Sequence, residues 1–163
     1  MSKDANSAAA PMRTVPQDNG EFVSVTVAGQ LFGIPVLQVQ DVLGPQRITR
    51  IPLAPPEVAG SLNLRGRIVT AIDLRTRLRL PRLPDGKSGM SVVVDYGGEL
   101  YSIMVDAVGE VLSRNAVHAE RNPATLDPIW RDVSGGIYRL DKSLLIVLDV
   151  ARVLDFSTRA DAA

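Results

Sequence analysis

Cysteine is absent from the sequence, which excludes a disulfide framework and any thiolate chemistry and points to a cytoplasmic setting. Histidine is nearly absent as well. His118 stands alone in a polar stretch, with no second histidine and no cysteine to complete a metal site or a nucleophile–base pair. Aromatic residues number one Trp, three Tyr and three Phe, too few to interleave a stacking platform among the arginines, so nucleic acid is not the expected partner. No apolar run approaches the ~18 residues that a spanning helix needs, so direct membrane insertion is not expected. Residues 1–20 are small, polar and punctuated by proline; they lack the apolar core of a signal peptide and are expected to form a disordered tail, and 157–163 reads as a second small, polar tail. Phosphate-cradling glycine loops, a Gly-x-Ser-x-Gly elbow and Ser/Lys constellations are also missing. These absences point away from an enzyme, and no cofactor or metal is expected.

What the chain does have is an uneven spread of charge. The formal net charge is zero, yet residues 47–87 carry nine Lys/Arg against three Asp/Glu. Arg75, Arg77, Arg79 and Arg82 therefore read either as the coat of a solvated edge or as one side of a protein-docking face beside an acidic region.

The chain also repeats itself. Residues 58–64 read as a strand, Arg65-Gly66 as a tight turn and 67–72 as a second strand, with a helical turn beginning at Asp73. The same order returns from Val133, so that Gly60 matches Gly135, Asp73 matches Asp149 and Leu78 matches Leu154. The later copy has one more residue in its turn, at Asp141-Lys142. A second, ungapped block lays 29–43 over 98–112, with seven of fifteen positions identical. Two collinear blocks argue for internal duplication, with copies at about 21–80 and 90–156 and a linker at 81–89. Within the first copy, Phe22–Val27 alternates as a half-buried strand. The second strand runs to Val36, and Pro35 places part of it at an edge or bend. Val39, Val42 and Leu43 suit one helical turn or a bent strand end; a short strand at 47–51 and a proline-enforced loop at 52–56 follow. In the second copy Gly97-Gly98 signals a hairpin, and 115–132 reads as a long loop. Short strands joined by close turns predict a mainly β fold of two small barrels, in which closure removes exposed edges. Asp73 and Asp149 are expected to cap helical turns. Asn63, Arg65 and Arg75 do not recur in the second copy, which frees them for recognition. Gly66 readily takes the positive φ of a turn, and Arg65 beside it would either grip a partner's carboxylate or carbonyls or stand in solvent.

Phe32-Gly-Ile-Pro-Val, Val39-Gln-Asp-Val-Leu, Ile48-Thr-Arg-Ile-Pro, Val58-Ala-Gly-Ser-Leu-Asn-Leu-Arg-Gly and Ile72-Asp-Leu-Arg together resemble the CheW family of chemotaxis coupling proteins, over about residues 21–156. The resemblance implies two five-stranded SH3-like β-barrel subdomains with short helical turns. It also implies a non-catalytic adaptor between the cytoplasmic domain of chemoreceptors and the regulatory domain of the chemotaxis histidine kinase, in the cytoplasm at receptor arrays. By motif position, receptor contact carries over to Val39, Asp41, Gly60, Asn63 and Arg65, with Arg75 in support; the kinase would meet apolar barrel-end surface. Two positions depart from the pattern. Asp41 stands where Glu is usual, which shortens its reach, and Thr70 where Pro is common. Alternative readings are a scaffold of a non-chemotaxis array serving surface motility or gene regulation, and an SH3-like barrel that binds nucleic acid through the 47–87 arginines.

Overall fold

The computed structural model describes residues 20–83, 89–113, 118–120, 127–140 and 143–155. The expected tails, apart from Gly20, and residues 84–88 of the linker lie outside this set. Eleven strands and three short helices follow in chain order: β1 (Glu21–Val27), β2 (Gln30–Pro35), a 3-10 turn (Val36–Gln38), β3 (Val39–Leu43), β4 (Val58–Leu64), β5 (Arg67–Asp73), α1 (Leu74–Arg77), β6 (Met90–Tyr96), β7 (Glu99–Val105), β8 (Ala107–Ser113), β9 (His118–Glu120), α2 (Pro128–Val133), β10 (Ser134–Leu140), β11 (Ser143–Leu148) and α3 (Val150–Val153).

The strands form two sheets, ordered β8-β1-β2-β11-β10-β9 and β3-β6-β7-β5-β4. The mainly β architecture expected from the sequence is present, with six strands in the first sheet and five in the second. The duplication appears in an unexpected form, because the sheets do not divide the chain at the 81–89 linker. The β1–β2 hairpin of the first copy lies beside β8–β11 of the second, while the β6–β7 hairpin of the second lies beside β3–β5 of the first. Each exchange is sealed by a parallel pair. Leu31, Phe32 and Gly33 run beside Leu145, Ile146 and Val147, and Thr70–Asp73 runs beside Tyr101–Met104.

Burial on both faces explains why these central strands are nearly continuous apolar runs. Successive side chains alternate between faces. One set, including Val25, Phe32, Val92, Ile103, Ile146 and Leu148, joins Leu74, Leu78, Val150 and Val153 in a core shared by the two sheets. The other set fills a smaller cluster within each sheet. Phe22, Leu145 and Val147 hold the first, with Leu112 of β8 and Tyr138 of β10 packed against them. Leu62, Val69, Ala71, Val93 and Leu100 hold the second, where Leu43 of β3 and Leu64 of β4 meet. Those two residues belong to the opposite edges of their sheet, so the sheet curls until its edges share one cluster.

Local chemistry fixes the details. Ala28-Gly29, Arg65-Gly66 and Gly97-Gly98 all have positive φ, the signature of two-residue type I′ hairpins. Asp73 and Asp149 cap their helices, accepting hydrogen bonds from the backbone N–H of Arg75 at 3.0 Å and of Ala151 at 3.1 Å. One open choice is decided and two expectations are corrected. The 39–43 segment is a strand preceded by a 3-10 turn, because antiparallel pairing with β6, through a bulge between Val39 and Asp41, outweighs its helical spacing. The 47–51 stretch makes one isolated bridge, Thr49 to Ser61, in place of a strand. The 115–132 loop contains β9 and α2. Asp127 followed by Pro128 was a readable signal for α2, since it supplies an N-cap and a proline whose missing N–H costs nothing at the first helical turn.

Because neither copy holds a complete sheet, residues 21–80 expressed alone should remain unfolded by circular dichroism and by amide dispersion in NMR. Mixing them with 89–156 should restore a folded one-to-one complex.

Candidate functional site

The second sheet has β3 at one edge and β4 at the other, and the Asp41–Arg65 side-chain pair bridges them. From the β4–β5 turn, Arg65 donates to Asp41 Oδ2 on β3 through Nη1 at 3.1 Å and Nη2 at 2.6 Å. The Arg65 side chain is 70% exposed and that of Asp41 27%. The turn that presents Arg65 holds it at φ +51. The sister hairpins place Ala28 and Gly97 at the matching position. A non-glycine residue in left-handed conformation costs about 1 kcal/mol, and here the sequence carries a long charged side chain in that place. Asn63 supports the turn, its Oδ1 accepting from the Gly66 N–H at 2.9 Å. Around the ion pair lies exposed apolar surface: Ile68, paired across the hairpin with Asn63, is 69% exposed, and Val42 next to Asp41 is also exposed.

The structure thus brings together Asp41, Asn63 and Arg65 of the six positions singled out from the sequence. Val39 begins the same strand as Asp41, partly buried against the shared core. Gly60 is buried at φ +150, where any Cβ would overlap the Thr49 carbonyl and the Ile48 side chain. Its place is to let the 48–49 segment cross β4 closely. Arg75 belongs to a different assembly. Its Nε and Nη2 reach Asp106 Oδ1 at 2.8 Å and Oδ2 at 2.6 Å, and Nη1 reaches the Pro81 carbonyl at 2.8 Å. Asp106 Oδ2 also accepts from the Ala28 N–H at 2.8 Å. One carboxylate therefore ties α1 of the first copy, the β7–β8 corner of the second and the β1–β2 turn. The hydrogen-bonded guanidinium holds the Asp106 carboxyl below the usual carboxylate range, assisted by the Ala28 N–H and opposed by desolvation.

Arg77 is also tied in. Its side chain is buried, with Nε donating to the Val153 carbonyl at 2.9 Å and Nη2 to that of Arg152 at 2.8 Å. It closes the C-terminal end of α3, where free carbonyls favour a cation. Neither a solvated edge nor a docking face therefore describes the 75–82 arginines as a group. Arg75 and Arg77 join the two copies, while Arg79 and Arg82 are exposed. Sequence reasoning missed Ile68, whose exposure follows from the inside–outside alternation of β5 once its register is known.

Among the described residues no group of three His, Cys, Asp or Glu could hold a metal ion, and no helix is long and apolar enough to cross a membrane. Fold and site together define a duplicated β module that presents an edge-spanning ion pair amid apolar surface. Residues 21–157 match the CheW-like domain model, and the chain belongs to the CheW family of chemotaxis coupling proteins. It is 31% identical over 134 residues to the chemotaxis protein CheW of Klebsiella aerogenes, covering 82% of this chain and 81% of that one. It is 30% identical over 138 residues to the chemotaxis protein CheW of Bacillus subtilis, covering 83% and 86%. The crystal structure of the scaffolding protein TtCheW from Thermoanaerobacter tengcongensis superposes with a TM-score of 0.68 at 28% identity, over 79% of this chain and 88% of that one.

The Arg75–Asp106 clamp has a pH signature. Because the folded-state pKa of Asp106 is lowered, its stabilisation is fully present above the ordinary carboxylate value and is lost as pH falls through the depressed folded value. Asp106→Asn should cost about 2 kcal/mol at neutral pH. It should also flatten the acid limb of a melting-temperature profile recorded between neutral pH and pH 2.

Proposed function

We propose that this chain is a non-catalytic adaptor that couples the cytoplasmic tips of chemoreceptors to the regulatory domain of the chemotaxis histidine kinase, in the cytoplasm at receptor arrays. The observation that carries this reading is the Asp41–Arg65 pair on the curled sheet. A turn in left-handed conformation, propped by Asn63, holds a mostly exposed guanidinium at a strand edge. A planar head with several donors can meet a partner's carboxylate or carbonyls while part of it stays on Asp41. The flanking Ile68 and Val42 supply apolar contact around the charged centre, the composition of a protein-recognition patch. Membership of the CheW family supports the same reading, as does the duplicated fold, which offers separate faces for two partners.

In this reading Asp41, Asn63 and Arg65 meet the receptor. Val39 and Gly60 shape the strand and the loop crossing behind them, and Arg75 secures the frame. The two hydrogen bonds to Asp41 fix the direction of the Arg65 donors.

The test is titration calorimetry with a receptor cytoplasmic fragment and, separately, with the kinase regulatory domain; binding to neither overturns the proposal. Arg65→Gly gives the turn the residue type that its sister hairpin already uses. It relieves left-handed strain and removes an exposed ion pair of about 0.5 kcal/mol, so stability should stay within about 1 kcal/mol of the parent. Receptor affinity should fall at least tenfold while kinase affinity is retained. A large loss of stability would instead assign Arg65 to the fold.

A further inference from the structure

An open pocket adjoins the small cluster of the second sheet. Beneath the 44–56 segment, which covers this face, lies a cavity of about 630 Å³, within the range of small-molecule sites. Its walls include the apolar side chains of Ile48, Leu62 and Met104, which belong to that cluster. Ser102 of β7 also lines it. That residue is 1% exposed, and its hydroxyl makes no hydrogen bond. A buried hydroxyl normally has a partner, and the alternation of β7 puts Ser102 on the same face as Leu100 and Met104, toward the cluster. The space and the unmet hydroxyl belong to one place.

The charges lining the cavity sort into two groups. Arg75, Asp73 and Asp106 are engaged in the clamp and the helix cap described above. Arg50 and Arg82 are exposed, and among the described residues neither has a hydrogen-bond or ion-pair partner. The uncommitted charge is therefore positive. At the rim, Leu53 stands fully in solvent with φ +63, an apolar side chain for which a bound molecule would supply cover. A positive entrance, a wall that is apolar at Ile48, Leu62 and Met104, and one unmet hydroxyl fit a small molecule with an anionic head, an apolar body and a polar atom for Ser102.

We propose that this cavity binds a small amphipathic anion, a carboxylate or phosphate on an aliphatic or aromatic body. The head meets Arg50 and Arg82, and the body lies against Leu62 and Met104. This site is separate from the Asp41–Arg65 patch and does not depend on its function.

The test uses the full-length protein and anilinonaphthalene sulfonate as a fluorescent probe, with decanoate, decyl phosphate and decyltrimethylammonium as competitors. One-to-one saturable binding is expected, displaced by both anions and not by the cation. Arg50→Gln combined with Arg82→Gln, two exposed changes that leave the core intact, should weaken probe binding at least tenfold. Ser102→Leu, which puts a branched apolar side chain where the body of the ligand lies, should weaken probe binding at least tenfold while the protein stays folded. If Ser102→Leu does not fold, the double glutamine variant decides alone. Absence of saturable binding, equal displacement by the cation, or unchanged affinity in the double variant overturns the proposal. Displacement by decyl phosphate but not decanoate assigns the head as phosphate.

Discussion

A β-strand satisfies its backbone donors and acceptors only through neighbours, and in this chain every hairpin has a neighbour in the other half of the sequence. The β2–β11 and β5–β7 parallel pairs are the hinge of that arrangement. They convert two similar halves into one body, because each half supplies the strands that its counterpart lacks. The shared core follows from the same pairing. Once the sheets are interleaved, Val25 and Phe32 face Val92 and Ile103 across one apolar layer, and the short helices α1 and α3 drop Leu74 and Val150 into it.

Charge then reinforces what pairing began. The two arginines of α1 come from the most basic part of the chain, and both are used internally. Arg75 reaches Asp106 and Arg77 reaches the carbonyl end of α3. Both contacts cross from one copy to the other. Arg65, by contrast, makes its ion pair within a single sheet and in the open. The same residue type therefore does two kinds of work. Where it is surrounded by fixed acceptors it fastens the frame, and where it stands at a turn it is available to a partner.

Local periodicity and turn chemistry made much of the fold legible in the sequence. The Gly97-Gly98 hairpin, the Asp73 and Asp149 caps and the strand at 58–64 each depend on neighbours within a few residues. The swap between halves depends on contacts between distant residues, and a repeat in sequence carries no mark of which copy pairs with which. The segment 39–43 shows the same limit. Its spacing of valine and leucine suits a helical turn, but pairing with Val92–Val94 and the bulge after Val39 decide for a strand. At the candidate site, the exposure of Arg65 at a turn could be read directly. Its engagement with Asp41 could not, because that contact requires the sheet to curl, and Ile68 became visible only with the register of β5.

The interleaving also sets a timetable for synthesis. The Gln30 side chain hydrogen-bonds to the Leu144 carbonyl, 114 residues later in the chain, and the strand around it cannot acquire its parallel neighbour before that point is made. At about 5–20 residues per second, β2 waits roughly 6–23 s on the ribosome without that neighbour, its apolar residues uncovered on that side. For that interval the nascent chain is a natural client of holding chaperones. Its yield in the cell would then respond to translation speed across the second half as much as to the stability of the finished protein.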